Sequence, residues 1–243
     1  MGNTETSAVS YDWRQPLLAG VVRQSGDESA PNRLGWAGYD GRPALWWGSG
    51  PVEGVDAVVV VWDFSIYGGS FGEADAARFT EAANEAVRSR RPLVTFVRSG
   101  GTRLQEGVAG LVGLAQVALA LRRVADAGVA HISIVDHPTT GGMWVTVGSR
   151  ADLRCAVLGA TVGFSGPRVV EAVTGSLPPP DSHTAAAAHA AGLVDAALPP
   201  EQVGEWLRRA LAAVTPSAAE TSTAAGAGTA AVLSPDAGAE RAG

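Results

Sequence analysis

One pattern, met twice, constrains this chain more than any other: a short apolar run, an adjacent pair of glycines, and then an apolar-periodic stretch. "PLVTFV" (92–97) leads through Arg98 and Ser99 to Gly100-Gly101, and "VAHISIVDHPTT" (129–140) leads to Gly141-Gly142. Each reads as a buried strand that ends in a turn of bare backbone and passes into a helix. Runs that are apolar on both faces belong to a sheet covered by helices on both sides. The fold class is therefore α/β, a single domain with strands and helices alternating.

The remaining segments follow the same reading. In "DAARFTEAANEAVRSR" (75–90), Ala76, Phe79, Ala83 and Val87 share one helical face, with Arg88, Arg90 and Arg91 at the C-terminal end that favours cations. Leu104–Ala127 is expected as one long apolar helix stopped by Gly128. A short helix opens at Pro167, residues 181–198 read as a helix, a stop at Gly192 and a strand, and "PEQVGEWLRRALAAV" closes the domain. Residues 1–30 are expected to form a flexible arm, 31–214 the domain, and 215–243 a disordered Ala/Gly-rich tail.

Composition excludes several classes of function. The net charge of −6 opposes a partner gripped through phosphates, so no nucleic acid is expected. All 18 basic residues are arginine, and the missing lysines exclude a Walker-type phosphate loop and a Schiff base. Cys155 is the one cysteine, so no disulfide or cysteine zinc site forms within the chain, and a reducing cytoplasm is the natural setting. No apolar run reaches the ~18 residues of a membrane span, and no membrane association is expected. His183 and His189 stand six apart, off a common helix face, and no metal site is expected. His137, beside the second glycine pair, is the histidine with a candidate role.

Helix starts present unpaired N–H groups, and two of them side by side on one sheet can cradle an oxyanion. Close helix packing is the structural alternative for both pairs, and spacing leaves the two readings open. "YGGSFGEAD" (67–75) reads as a capped turn, with Glu73 and Asp75 in the first helical turn. Glu106 stands near the first pair as a base or a dipole partner, and no G-x-S-x-G elbow is present. The chain thus offers oxyanion donors without an evident side-chain base. That suits a reaction whose base comes from the substrate or cofactor.

The strings "GGSFG", "SGGTRLQEG", "DHPTTGG", "VGFSGPRVVE" and "AAGLVD" occur in one order. They resemble GGSMG, SGGARMQEG, DPTTGG, IGFAGPRV and GAID of the carboxyltransferase β subunits of acyl-CoA carboxylases. The resemblance spans roughly residues 55–214. It implies a crotonase-like (ClpP/crotonase) ββα superhelix and a subunit that moves a carboxyl group between carboxybiotin and a short acyl-CoA, in fatty acid or polyketide synthesis. Biotin would ride on a separate carrier protein, and no metal is implied. Gly141 and Gly142 would be the oxyanion pair, and Gly100 and Gly101 the facing backbone wall. Gly68, Gly69, Ser70, Arg103, His137 and Thr140 would surround the substrate, with Arg103 and Glu106 bracing the loops. Partners would be an α-type carboxyltransferase subunit, a biotin carrier or an acyl carrier protein. A second crotonase-like domain normally completes such a site, so a partner chain is expected.

The chain departs from the resemblance at three points. The four-cysteine zinc ribbon has no counterpart, His137 stands where the family has Asp, and Val157-Leu158 replace Glu-Pro. A biotin-independent malonyl-thioester decarboxylase and a non-catalytic scaffold subunit are the alternatives; an enoyl-CoA hydratase is a weaker one, for want of placed Glu bases.

Overall fold

A computed structural model describes residues 12–26 and 28–215. Eight strands form one sheet: β1 (Val22–Arg23), β2 (Leu45–Val52), β3 (Val55–Trp62), β4 (Leu93–Ser99), β5 (His131–Thr140), β6 (Leu153–Val157), β7 (Val162–Gly163) and β8 (Ala196–Leu198). Their order is β1-β2-β3-β4-β5-β6-β8, with β7 paired to the end of β5. β1, β2 and β3 are antiparallel neighbours, whereas β3 onward runs parallel. A two-residue turn at Glu53-Gly54, both at positive φ, joins β2 to β3 and matches the twist of the hairpin.

The helices are α1 (Gln15–Leu18), α2 (Glu73–Ser89), α3 (Val108–Asp126), α4 (Gly142–Thr146), α5 (Pro167–Thr174), α6 (Ala185–Ala190) and α7 (Pro200–Val214). Alternation along the strands divides the core into two. Val58, Val60, Trp62, Leu93 and Val97 face Phe79, Ala83, Val117 and Leu121 of α2 and α3. Val59, Val61, Val94, Phe96, Ile132 and Ile134 face Val203, Leu207 and Leu211 of α7.

Two expectations change. The arm expected over 1–30 is docked from residue 12: Trp13, Leu17 and Val21 pack on the second core, and β1 pairs with β2. Apolar side chains spaced too irregularly to show a period still find a buried face there. The long helix expected over 104–127 is broken, because Leu104–Glu106 form a single 3-10 turn and Gly107, at φ 57°, separates it from α3. The expected tail beyond Thr215 lies outside the described residues.

Candidate active site

Parallel strands open their C-terminal ends on one edge, so the loops after β3, β4 and β5 collect there. Gly68 and Gly69 adopt positive φ, and a Cβ on Gly69 would fall 2.1 Å from the Arg98 carbonyl oxygen. Gly100 N–H donates to Gly68 O at 3.1 Å. A Cβ on Gly141 would lie 3.4 Å from Gly101 Cα, and one on Gly101 3.7 Å from Thr140 O. The structure therefore gathers Gly68, Gly69, Gly100, Gly101, Gly141 and Gly142 into one ridge of bare backbone.

Free donors on this ridge are fewer than the glycines. Gly100 N–H is taken by Gly68 O, Gly101 N–H by Ser99 Oγ (3.1 Å), and Gly141 N–H by Gly163 O (3.2 Å). Phe71 N–H donates to Gly101 O, and Arg103 N–H to Phe71 O, both at 2.8 Å, in a bridge centred on Thr102. Amides alternate sides along an extended chain, so the N–H of Thr102 points away from Phe71, toward the end of β5. Among the described residues, neither Thr102 N–H nor Gly142 N–H has a hydrogen-bond acceptor. A Cβ on Gly142 would stand 3.1 Å from Thr102 Oγ1, which places the two residues side by side.

Of the expected oxyanion pair, Gly142 has a free amide while that of Gly141 is taken by Gly163 O. Gly100, Gly101 and Gly141 shape the ridge, while Thr102 and Gly142 hold two free amides side by side; the Gly68 N–H, in the loop after β3, also has no acceptor among the described residues. Helix dipoles add little, since α3 begins only at Val108 and α4 has 5 residues. No motif marks Thr102 in the sequence; its amide is free because of the Phe71 bridge.

Beneath the ridge lies a buried ionic network. Arg103, with no exposed side-chain surface, donates to Asp75 Oδ2 (2.8 Å), Ser70 O (2.5 Å) and Arg42 O (3.0 Å), and its guanidinium stacks 4.9 Å from the Tyr67 ring. Asp75 also accepts from the backbone N–H groups of Ala44, Leu45 and Gly72. Glu106 accepts from the Tyr39 hydroxyl and from Glu73 N–H, and stands 3.5 Å from Arg103. Burial pushes the Asp75 carboxyl up to about 6, against the opposing pull of Arg103 and the backbone donors. Burial and the Glu106 carboxylate push the Tyr39 hydroxyl up to about 12. Arg103 thus braces the loops, as expected, tying those after β3 and β4 together. Ser70 takes part in the same tie through its carbonyl.

His137 has a structural role among the described residues. Its ring Nδ1 accepts from Thr161 N–H (3.2 Å) and its carbonyl accepts from Arg98 Nε (2.6 Å), so the side chain pins a loop. Thr140 is buried, its carbonyl directed at Gly101. Val157 ends β6, and Leu158 N–H donates to Leu198 O (2.8 Å), so this departure falls in the β6–β8 pairing. His183, which carried no role in the sequence, backs the ridge: a Cβ on Gly163 would meet its ring at 2.9 Å. Cys155 is buried and its thiol pushed up to about 12, which keeps it protonated and inert.

The pattern shared by the carboxyl transferase domain family matches residues 40–237. The chain belongs to that family. The chain is 36% identical over 167 residues to the acetyl-coenzyme A carboxylase carboxyl transferase subunit beta of Opitutus terrae, covering 69% of this chain and 57% of that protein. It is 44% identical over 131 residues to the subunit of the same name from Phenylobacterium zucineum, covering 54% and 43%. The chain thus spans about half the length of these relatives. In fold it resembles the transcarboxylase 12S crystal structure with methylmalonyl-coenzyme A bound (TM-score 0.71, 24% identity, 82% of this chain and 40% of that one). It also resembles a Pseudomonas malonate decarboxylase hetero-tetramer in complex with malonate (TM-score 0.72, 20% identity, 84% and 82%). The expected crotonase-like α/β architecture is the fold of this chain.

Proposed function

We propose that the chain is a β-type carboxyltransferase subunit that moves a carboxyl group between biotin and a short acyl-CoA in the cytoplasm. The observation that carries this reading is the pair of unpartnered amides, Thr102 N–H and Gly142 N–H, side by side on a glycine-rich ridge. Two donors aimed at one oxygen strengthen as charge develops on it, which favours the enolate of a thioester over the neutral carbonyl. The bare Cα atoms of Gly101 and Gly141 leave room for the flat thioester, and Leu114 of α3 covers Gly142 against water.

The ridge itself holds no base, because Arg103 and Glu106 are committed below it. That donor set fits biotin, which on its carrier supplies the carboxyl group and the missing proton acceptor. Gly100 and Gly101, with their own amides occupied, would form the wall against which it lies.

An α-type subunit would complete the site. α3 leaves Val108, Leu111, Val112 and Leu119 exposed, and α5 buries no residue, with Val173 80% exposed. These faces flank the ridge, through Leu114 on one side and Gly166 beside Thr140 on the other. Apolar surface of this extent on both sides of a site suits a partner chain. α3 is also long and apolar enough to cross a membrane, yet it packs on α2 through Gly113, Val117 and Leu121.

A second reading, a biotin-independent malonyl-thioester decarboxylase, is favoured by the match over most of the malonate decarboxylase chain. Malonyl-CoA turnover by the chain and its α-type partner, with and without a biotinylated carrier, separates the two. Strict dependence on the carrier supports the carboxyltransferase; equal turnover without it replaces that reading with the decarboxylase.

A further inference from the structure

The side chain of Thr102 is held between two glycines. A Cβ on Gly110 of α3 would lie 2.9 Å from Thr102 Cγ2, and a Cβ on Gly142 would lie 3.1 Å from Thr102 Oγ1. The two γ atoms diverge from one carbon whose χ1 is stiff. With the methyl seated on Gly110, the hydroxyl therefore has one direction left, toward Gly142. Of the hydroxyls nearby, Ser99 Oγ accepts from Gly101 N–H, the one proton of Thr139 Oγ1 is within reach of Val97 O and Asp136 O, and Thr140 Oγ1 faces Gly166 rather than Gly142. Among the described residues, Thr102 Oγ1 has no hydrogen-bond partner, and Thr102 is half-buried rather than sealed.

We propose that the Thr102 hydroxyl is a third donor to the substrate's thioester oxygen, beside the amides of Thr102 and Gly142. The inference rests on the reading of those amides as the enolate site. A hydroxyl needs only a rotation about Cβ–Oγ1 to donate, and its direction is set in advance by packing on α3, so little is reorganised as charge builds on the oxygen. The donor is specific to this side chain, because the family string reads Ala at the same place. Its contribution appears in the step that develops charge, in kcat rather than in KM.

Thr102→Val, Thr102→Ala and Thr102→Ser test this together with Gly142→Val, in the chain reconstituted with its α-type partner and a biotinylated carrier, reading malonyl-CoA turnover. Val and Ala are expected to lower kcat by about 10-fold or more with KM changed less than about 2-fold. Ser, which restores the hydroxyl, recovers most of that loss. Melting temperatures within about 2 °C of the parent exclude loss of fold as the cause. The proposal is overturned if Val turns over like the parent, if Ala does so while Val is impaired, or if Ser is no better than Val. Full turnover by Gly142→Val would instead overturn the enolate site itself, an outcome distinct from these.

Discussion

The loops after β4 and β5 carry the same glycine pair, yet opposite means hold them in place. The β4 loop rests on charge: Arg103, Asp75 and Glu106 lie buried under it, and Phe71 bridges it to the loop after β3. The β5 loop rests chiefly on backbone, through Gly141 N–H to Gly163 O, with β7 held in turn by Val162 N–H to His183 O (2.8 Å) and the preceding Thr161 N–H by the His137 ring. In each loop the packing occupies some glycine amides and leaves one amide free. In the first loop that amide belongs to the residue after the pair, and in the second to the pair's second member. Identical sequence signals thus mark sites where backbone is exposed, and the support beneath decides which N–H acts.

Breaking the ionic support gives the largest expected effect. Arg103→Ala leaves Asp75 and Glu106 buried without their cation and is expected to cost about 3–5 kcal/mol, measured by urea unfolding. An unchanged midpoint would remove the distinction between the two loops. On the other loop, Gly142→Val drives a side chain into Leu114, whose Cδ1 lies 2.6 Å from the added Cβ position, and displaces the amide. Turnover is expected to fall by about 100-fold or more. Gly163→Ala, which presses on the His183 ring, tests the backbone support with a smaller loss.

The strands that carry the loops are also tied at their other ends, where His131 of β5 contacts Thr95 of β4 through Nε2 (3.0 Å). Burial lowers the His131 ring from 6.5 to about 3. The fold therefore holds a neutral imidazole, whose contribution is complete above the unfolded value and is lost as pH falls from 6.5 toward 3. One group accounts for about 1.4 kcal/mol per pH unit in that window. Unfolding free energies from urea titrations at pH 7.5 and 5.5 are expected to differ by roughly 1 kcal/mol less in His131→Gln than in the parent. Gly100→Ala closes the series: its φ is not positive and the nearest atom to the added Cβ, Gly68 O, is 3.5 Å away. Turnover is expected to change by less than about 3-fold, which would separate Gly100 from Gly142 within a motif they share.

Much of the architecture was legible along the chain. α2 and α7 follow their apolar periods, and β4 and β5 follow their unbroken apolar runs, because burial on one or both faces imposes those patterns locally. The glycine pairs were legible as sites of backbone exposure. Less visible was the docking of Trp13, whose partner Asp136 is 123 residues away, or the break at Gly107, where a glycine interrupts an otherwise apolar stretch. Arg103 read as a brace of the loops, but its full burial was not visible, because Arg42, Ser70 and Asp75 lie 28 or more residues away in the chain.

By itself, the sequence determined the α/β alternation, the turns of bare backbone at two strand ends and the lack of a side-chain base among them. Each of these depends on residue type and on neighbours close in the chain. Tertiary structure alone decided that the glycine loops meet, that Gly100, Gly101 and Gly141 spend their amides on one another's surroundings, and that Thr102 and Gly142 do not. Whether an N–H is free depends on which carbonyl lies within 3 Å or so of it. That carbonyl comes from strand register and loop packing, which no local pattern records.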